Sequence, residues 1–177
     1  MKHLFLIAIA FVFSAATSNA TVQESDVLRY KEERGFINEN PISELLSKRK
    51  LKFEMISTAN YAGYSAGWKI ADKKLFLSSF KGRKDGEDKD LKWRFPKSDG
   101  DVLAEWYSGK IHLFVGDVKL RKIHGHVVVT EKLIIFDISE GVVQKSTVVK
   151  YPENINVVNK LTLELLGEEI DIRKVEY

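Results

Sequence analysis

Residues 57–70 read STANYAGYSAGWKI. Tyr64, Ala66, Trp68 and Ile70 alternate with Gly63, Ser65, Gly67 and Lys69. Alternation with a period of two is the mark of a strand with one buried face. Here the second face is nearly stripped of side chains, although glycine weakens a strand. Two explanations fit. A large ring from a facing element packs across Gly63 and Gly67, or the bare face is a shallow groove that admits a partner. Glycine allows close approach in either case.

The period-two pattern extends outward from this stretch. ADKK at 71–74 is a turn before LFLSSF, so 64–80 is expected to be a β-hairpin. Upstream, Leu51, Phe53 and Met55 alternate with charged residues. Downstream, Leu91, Trp93 and Phe95 do the same until Pro96 ends the run. Residues 101–116 read as two extended segments around Ser108-Gly109. Residues 126–151 read as three β-rich pieces separated by TEK and SEG. In the tail, 161–172 reads as a hairpin, with a helix through 155–166 as the alternative. PISELLSKRK at 41–50 is the one expected helix, with Asn40 as its cap and Pro41 at its first position. The expected fold is therefore all-β: a single antiparallel β-sandwich or barrel-like domain with one short N-terminal helix.

The first twenty residues stand apart. Lys2 precedes an apolar run over 4–13, and Ser18 and Ala20 occupy the small-residue positions of a cleavage site. This is the layout of a secretory signal peptide cleaved after Ala20. A run of about ten residues is half of what a bilayer span needs, so no stable membrane insertion is expected after cleavage. Residues 21–177 would form one β-rich domain that is periplasmic or secreted.

The chain has no cysteine among its 177 residues. That removes disulfides, a thiol nucleophile and cysteine zinc sites. The net charge is +3. The densest charge run, KGRKDGEDKDLK at 81–92, holds five basic and four acidic residues. It nearly cancels, and a nucleic-acid partner is not expected.

Several groups are candidate sites. His112, His124 and His126 are weak candidate metal ligands. Gly125 between the last two favours a bend, no carboxylate sits at a matching spacing, and no metal or cofactor is expected. Ser108 in WYSGK lacks the glycine two residues before it that a nucleophile elbow requires. Glu105 with Asp101 is a candidate acid–base pair, but alternation turns Ala104 and Trp106 inward and leaves Glu105 and Tyr107 to solvent. Of the aromatic residues Tyr61, Tyr64, Trp68, Trp93, Trp106 and Tyr107, the two tryptophans at 68 and 106 are expected in the core. Tyr61 and Tyr64 are expected at a rim. The candidate binding set is thus Tyr61, Gly63, Tyr64, Gly67, Glu105 and Tyr107.

STANYAGYSAGWKIADKKLFL, LAEWYSGKI and TEKLIIFDISEGVV resemble, in that order, blocks of an uncharacterised family of small bacterial proteins. Its members tend to share S-T-A-x-x-x-G-Y-x-x-x-W-x-I and D/E-W-[FY]-S-G segments. DVLRYKEERGFINENPISELL is similar to the family's start, and the resemblance covers most of 26–145. It implies a single β-rich domain and brings no reaction or cofactor. Many members look cytoplasmic, so the leader here is a departure.

The functional expectation is an exported, non-enzymatic binding protein of the bacterial envelope. A protein partner comes first, with a toxin-neutralising or accessory role. A small-ligand or glycan-binding module comes second, and a carboxylate-based hydrolase third.

Overall fold

The computed structural model describes residues 24–121 and 128–150, with backbone alone for 118–121 and 128–129. It is strand-rich, with nine strands in one mixed sheet and two short helices. The expected tail hairpin, the signal peptide, His124 and His126 lie outside the described residues.

The chain begins with the hairpin β1 (Asp26–Tyr30) and β2 (Glu33–Ile37), followed by helix α1 (Ser43–Lys48). β3 (Tyr64–Ala71) and β4 (Lys74–Lys84) form the hairpin expected from the opening stretch. β5 (Glu87–Asp90), α2 (Leu91–Arg94) and the two-residue β6 (Val102–Leu103) come next. The long strands β7 (Gly109–Arg121), β8 (Val128–Ser139) and β9 (Val142–Lys150) complete the described chain.

The pairings run β3-β1-β2-β7-β8-β9-β4, and β4 returns to β3. The ring is closed, so the architecture is a seven-stranded barrel rather than a sandwich. Closure shields most sheet edges from pairing with other chains, but β4 and β9 meet at one residue pair, and the rest of the outer edge of β9 is unpaired among the described residues. β5 and β6 attach to β4 outside the ring. The sheet is not wholly antiparallel as the sequence suggests: β1 runs parallel to β3, with Leu28 opposite Trp68.

Turn chemistry sets the hairpins. Asp72 and Lys73 both take positive φ, as do Glu140 and Gly141. Paired positive φ values twist a two-residue turn to match its strands. Inward-facing side chains of each strand fill the barrel. Leu28, Trp68, Leu75, Leu77, Ile111, Leu113 and Phe136 have almost no exposed surface. Each such side chain contributes about 1.5–3 kcal/mol by leaving water. Tyr30 meets Phe136 edge to face with centroids 4.9 Å apart. Ile42 and Leu46 join the same core and dock α1 on the barrel.

Four local expectations are corrected. Residues 51–55 are extended but form no strand. Leu91, Trp93 and Phe95 do not form a strand: 91–94 is the single turn α2, because the Asp90 carboxylate accepts the Trp93 N–H at 2.9 Å and caps it. TEK at 130–132 is not a turn, since β8 runs straight through it with Thr130 buried and Glu131 exposed. Asn40 does not cap α1. Its N-cap is Ile42, without a side-chain bond, while Asn40 donates its amide to Tyr64 Oη at 2.8 Å.

Candidate functional site

The candidate residues fall in three places on the barrel. The first is the wall bearing the opening stretch. Gly67 lies in a shallow groove of about 600 Å³ on the outer face of β1, β3 and β4, with Ser65, Ser78 and Ser79 around it. A Cβ on Gly67 would stand 2.3 Å from Ser79 Oγ. The bare face is therefore a packing solution at Gly67, where the facing strand brings its hydroxyl almost to the backbone. Inside the wall, the Asp26 carboxylate accepts the Ala66 N–H and the Trp68 indole N–H, each at 2.9 Å. Burial pushes the Asp26 carboxyl above its ordinary range, against the two hydrogen bonds.

The second place is the loop before β3. Asn60 is buried and organises it. Its side-chain oxygen accepts the Gly63 N–H at 3.0 Å, and its amide donates to Glu24 at 2.9 Å. Its own N–H reaches Ser57 Oγ at 3.1 Å, and Ile56 N–H reaches the Asn60 carbonyl at 3.2 Å. Ser57 and Asn60 form an isolated antiparallel bridge, and one step further along that register Ile56 stands opposite Tyr61. The loop therefore has a fixed backbone, and beside its 58–59 turn Met55, Ile56 and Tyr61 are 56%, 54% and 73% exposed. Gly63, at φ 75°, backs onto the Glu54 carbonyl. Tyr64 is half-buried and packs between Phe53 and Phe80. Burial raises its hydroxyl pKa. Tyr61 thus belongs to an exposed rim, whereas Tyr64 is a packing residue.

The third place is the turn 104–108, which carries Glu105, Tyr107 and Ser108. Ala104 N–H donates to the Leu75 carbonyl, and the Tyr107 carbonyl accepts the Gly141 N–H, both at 2.9 Å. Ser108 Oγ accepts the Glu140 N–H at 2.9 Å. The turn stitches the start of β4 to the β8–β9 connection, where the ring closes. Tyr107 donates to the Lys110 carbonyl at 2.7 Å, and burial pushes its hydroxyl up to about 12. Trp106 is anchored by its indole N–H to the Pro41 carbonyl at 2.9 Å and stacks on Phe95. Glu105 is exposed, and Asp101 forms an ion pair with Lys69. The two carboxylates weighed as an acid–base pair are thus in different surroundings, one bound to an ammonium.

His112 has a partner that sequence spacing does not reveal. Glu39 reaches back from the segment after β2. One of its oxygens lies 2.6 Å from His112 Nδ1, and the other accepts the His112 backbone N–H at 3.0 Å. The ring is buried, so the pair pins the 38–42 segment to β7. Among the described residues, no group of three His, Asp or Glu side chains is placed to hold a metal. No helix among them is long and apolar enough to cross a membrane.

No protein-family model matches the chain, and no curated protein or solved structure matches it. The reading of the site rests on its own residues.

Proposed function

We propose that the protein is an exported binding protein of the bacterial envelope that engages a protein partner through the exposed apolar side chains of the 55–61 loop. The observation that carries this reading is a rigid loop holding three large side chains, Met55, Ile56 and Tyr61, in water. Clustered exposed apolar residues favour protein contacts. A backbone already fixed by Asn60 lowers the entropy lost on binding. Tyrosine and methionine are enriched in such contacts. Export rests on the leader at 1–20.

The test has two arms. Expressed in a bacterial host, the chain is expected in the periplasmic or culture fraction with a mass beginning at Thr21. Retention of the full mass in the cytoplasm overturns export. Tagged protein is then used to capture partners from a native envelope extract, beside a Met55→Ser, Ile56→Ser, Tyr61→Ala variant. The expected result is one partner retained by the parent and lost, by at least tenfold, from the variant at unchanged melting temperature. Equal retention by both overturns the 55–61 loop reading.

A further inference from the structure

Among the described residues, the barrel wall is incomplete along β9. Val142 pairs with Lys74 where the ring closes. From there to Lys150, the edge of β9 turned away from β8 carries no paired strand among the described residues. That edge borders a cleft of about 840 Å³. Facing it across the cleft are the end of β1, the end of β3 and the β3–β4 turn.

The cleft is strongly basic. Arg29, Lys31, Lys69, Lys73 and Lys145 line it, against the single carboxylate of Asp72. Lys69 is held by Asp101, and the Lys31 ammonium lies 5.2 Å from the Tyr30 ring centroid. Among the described residues, Arg29, Lys73 and Lys145 form no ion pair. These three side chains are exposed.

We propose that the cleft takes an extended acidic segment of a partner polypeptide, added as a further strand on the edge of β9 that is unpaired among the described residues. An unpaired edge offers a row of N–H and C=O groups that supply main-chain affinity. A lysine on an edge strand, by itself, guards against pairing. Here only Lys145 belongs to β9. The other four cations come from β1, the β1–β2 turn, β3 and the β3–β4 turn, which border the cleft opposite that edge. That arrangement attracts an acidic strand and repels a basic one, so it selects by charge. The cleft goes beyond the 55–61 loop reading and shares no residue with it.

The test uses the full chain and a fluorescein-labelled peptide of alternating glutamate and valine, seven residues long. Three comparisons accompany it: the same peptide N-methylated at alternate amides, a lysine-for-glutamate counterpart, and inorganic polyphosphate as competitor. Saturable binding is expected, weakened at least tenfold by N-methylation in one of the two registers. The lysine peptide should not bind, and Arg29→Glu with Lys145→Glu should weaken the acidic peptide at least tenfold. Hydrogen exchange should show the outward β9 amides slowing when peptide is added. No binding, equal binding of both N-methylated forms and the parent, or equal binding of the lysine peptide overturns the proposal. So does outward-amide protection already complete in the isolated chain, since the edge would then be occupied. Displacement by polyphosphate together with insensitivity to N-methylation would reduce the cleft to a general anion site. If partner capture is lost in the 55–61 loop variant while the peptide still binds, the two readings are separated.

Discussion

Asp26 on β1 holds Trp68 on β3 by a 2.9 Å hydrogen bond from the indole, and its second oxygen holds the Ala66 N–H two residues away. One carboxylate thus fixes the register of the parallel pair and the position of a fully buried tryptophan. Asp26→Ala leaves both donors without an acceptor. The expected loss is about 2–4 kcal/mol, since each buried unsatisfied donor costs about 1–3 kcal/mol. Urea denaturation measures it, and an unchanged midpoint counts against the clamp.

The same carboxyl gives a pH signature of unusual sign. Its folded pKa is raised, chiefly by burial. The folded state therefore binds the proton more tightly than the unfolded chain. The stability that Asp26 contributes is greatest below the ordinary carboxylate range and is lost as pH rises through the folded pKa. Relative to Asp26→Asn, which does not titrate, the parent should gain stability as pH falls from about 7 to about 4. A difference that shrinks over that range contradicts the assignment.

Tyr107 should ionise late. Its hydroxyl is pushed up to about 12, mainly by burial and then by the nearby Glu39 charge. Tyrosinate absorbance should show a phase near that pH that disappears in Tyr107→Phe. The linkage runs in the same direction: stability present below about pH 10 is lost as pH climbs through the folded value. A Phe variant with an identical alkaline unfolding curve would contradict it.

Two glycines separate backbone contact from side-chain contact. A Cβ on Gly35 would lie 1.8 Å from the Phe114 carbonyl oxygen, whereas one on Gly67 meets only the Ser79 hydroxyl at 2.3 Å. A backbone cannot move aside without breaking the β2–β7 pairing; a serine can rotate. Gly35→Ala is expected to cost more than about 3 kcal/mol and Gly67→Ala less than about 1.5 kcal/mol, following the overpacking scale. Gly67→Ala with Ser79→Ala should recover most of that loss. Thermal melts of the three variants decide it.

Ser108 is a stitch rather than a nucleophile. Its hydroxyl accepts the Glu140 N–H at the β8–β9 turn. Ser108→Ala should lower stability by about 1 kcal/mol, the net value of one hydrogen bond. It should speed hydrogen exchange at Glu140 while leaving Leu77 unchanged.

What the sequence makes legible follows distance along the chain. The hairpin of β3 and β4 and its turn at 71–74 are local, and their alternation is clean. The missed elements are those where alternation misleads. Leu91, Trp93 and Phe95 alternate, yet the cap supplied by Asp90 winds them into a turn of helix. Thr130, Glu131 and Lys132 look like a polar break, yet they alternate inward and outward in an unbroken strand, with Lys132 paired to Glu33. Long-range relationships leave no local trace. Asp26 meets Trp68, Glu39 meets His112, and the cations of the cleft come from 29–31, 69–73 and 145. These cations are scattered along the chain, and the topology gathers them.

The ring closes where β4 and β9 share one residue pair, Lys74 with Val142. Two direct hydrogen bonds span that junction, and the 104–108 turn braces it from outside. The other seams of the ring are held by three or more consecutive pairs, so this clasp is expected to be the first point to part under thermal agitation. Its parting would vary the girth of the barrel without melting any strand, and would widen or narrow the basic cleft beside it. A molecule that wedges strand-wise there would act as the missing stave and make the whole vessel stiffer.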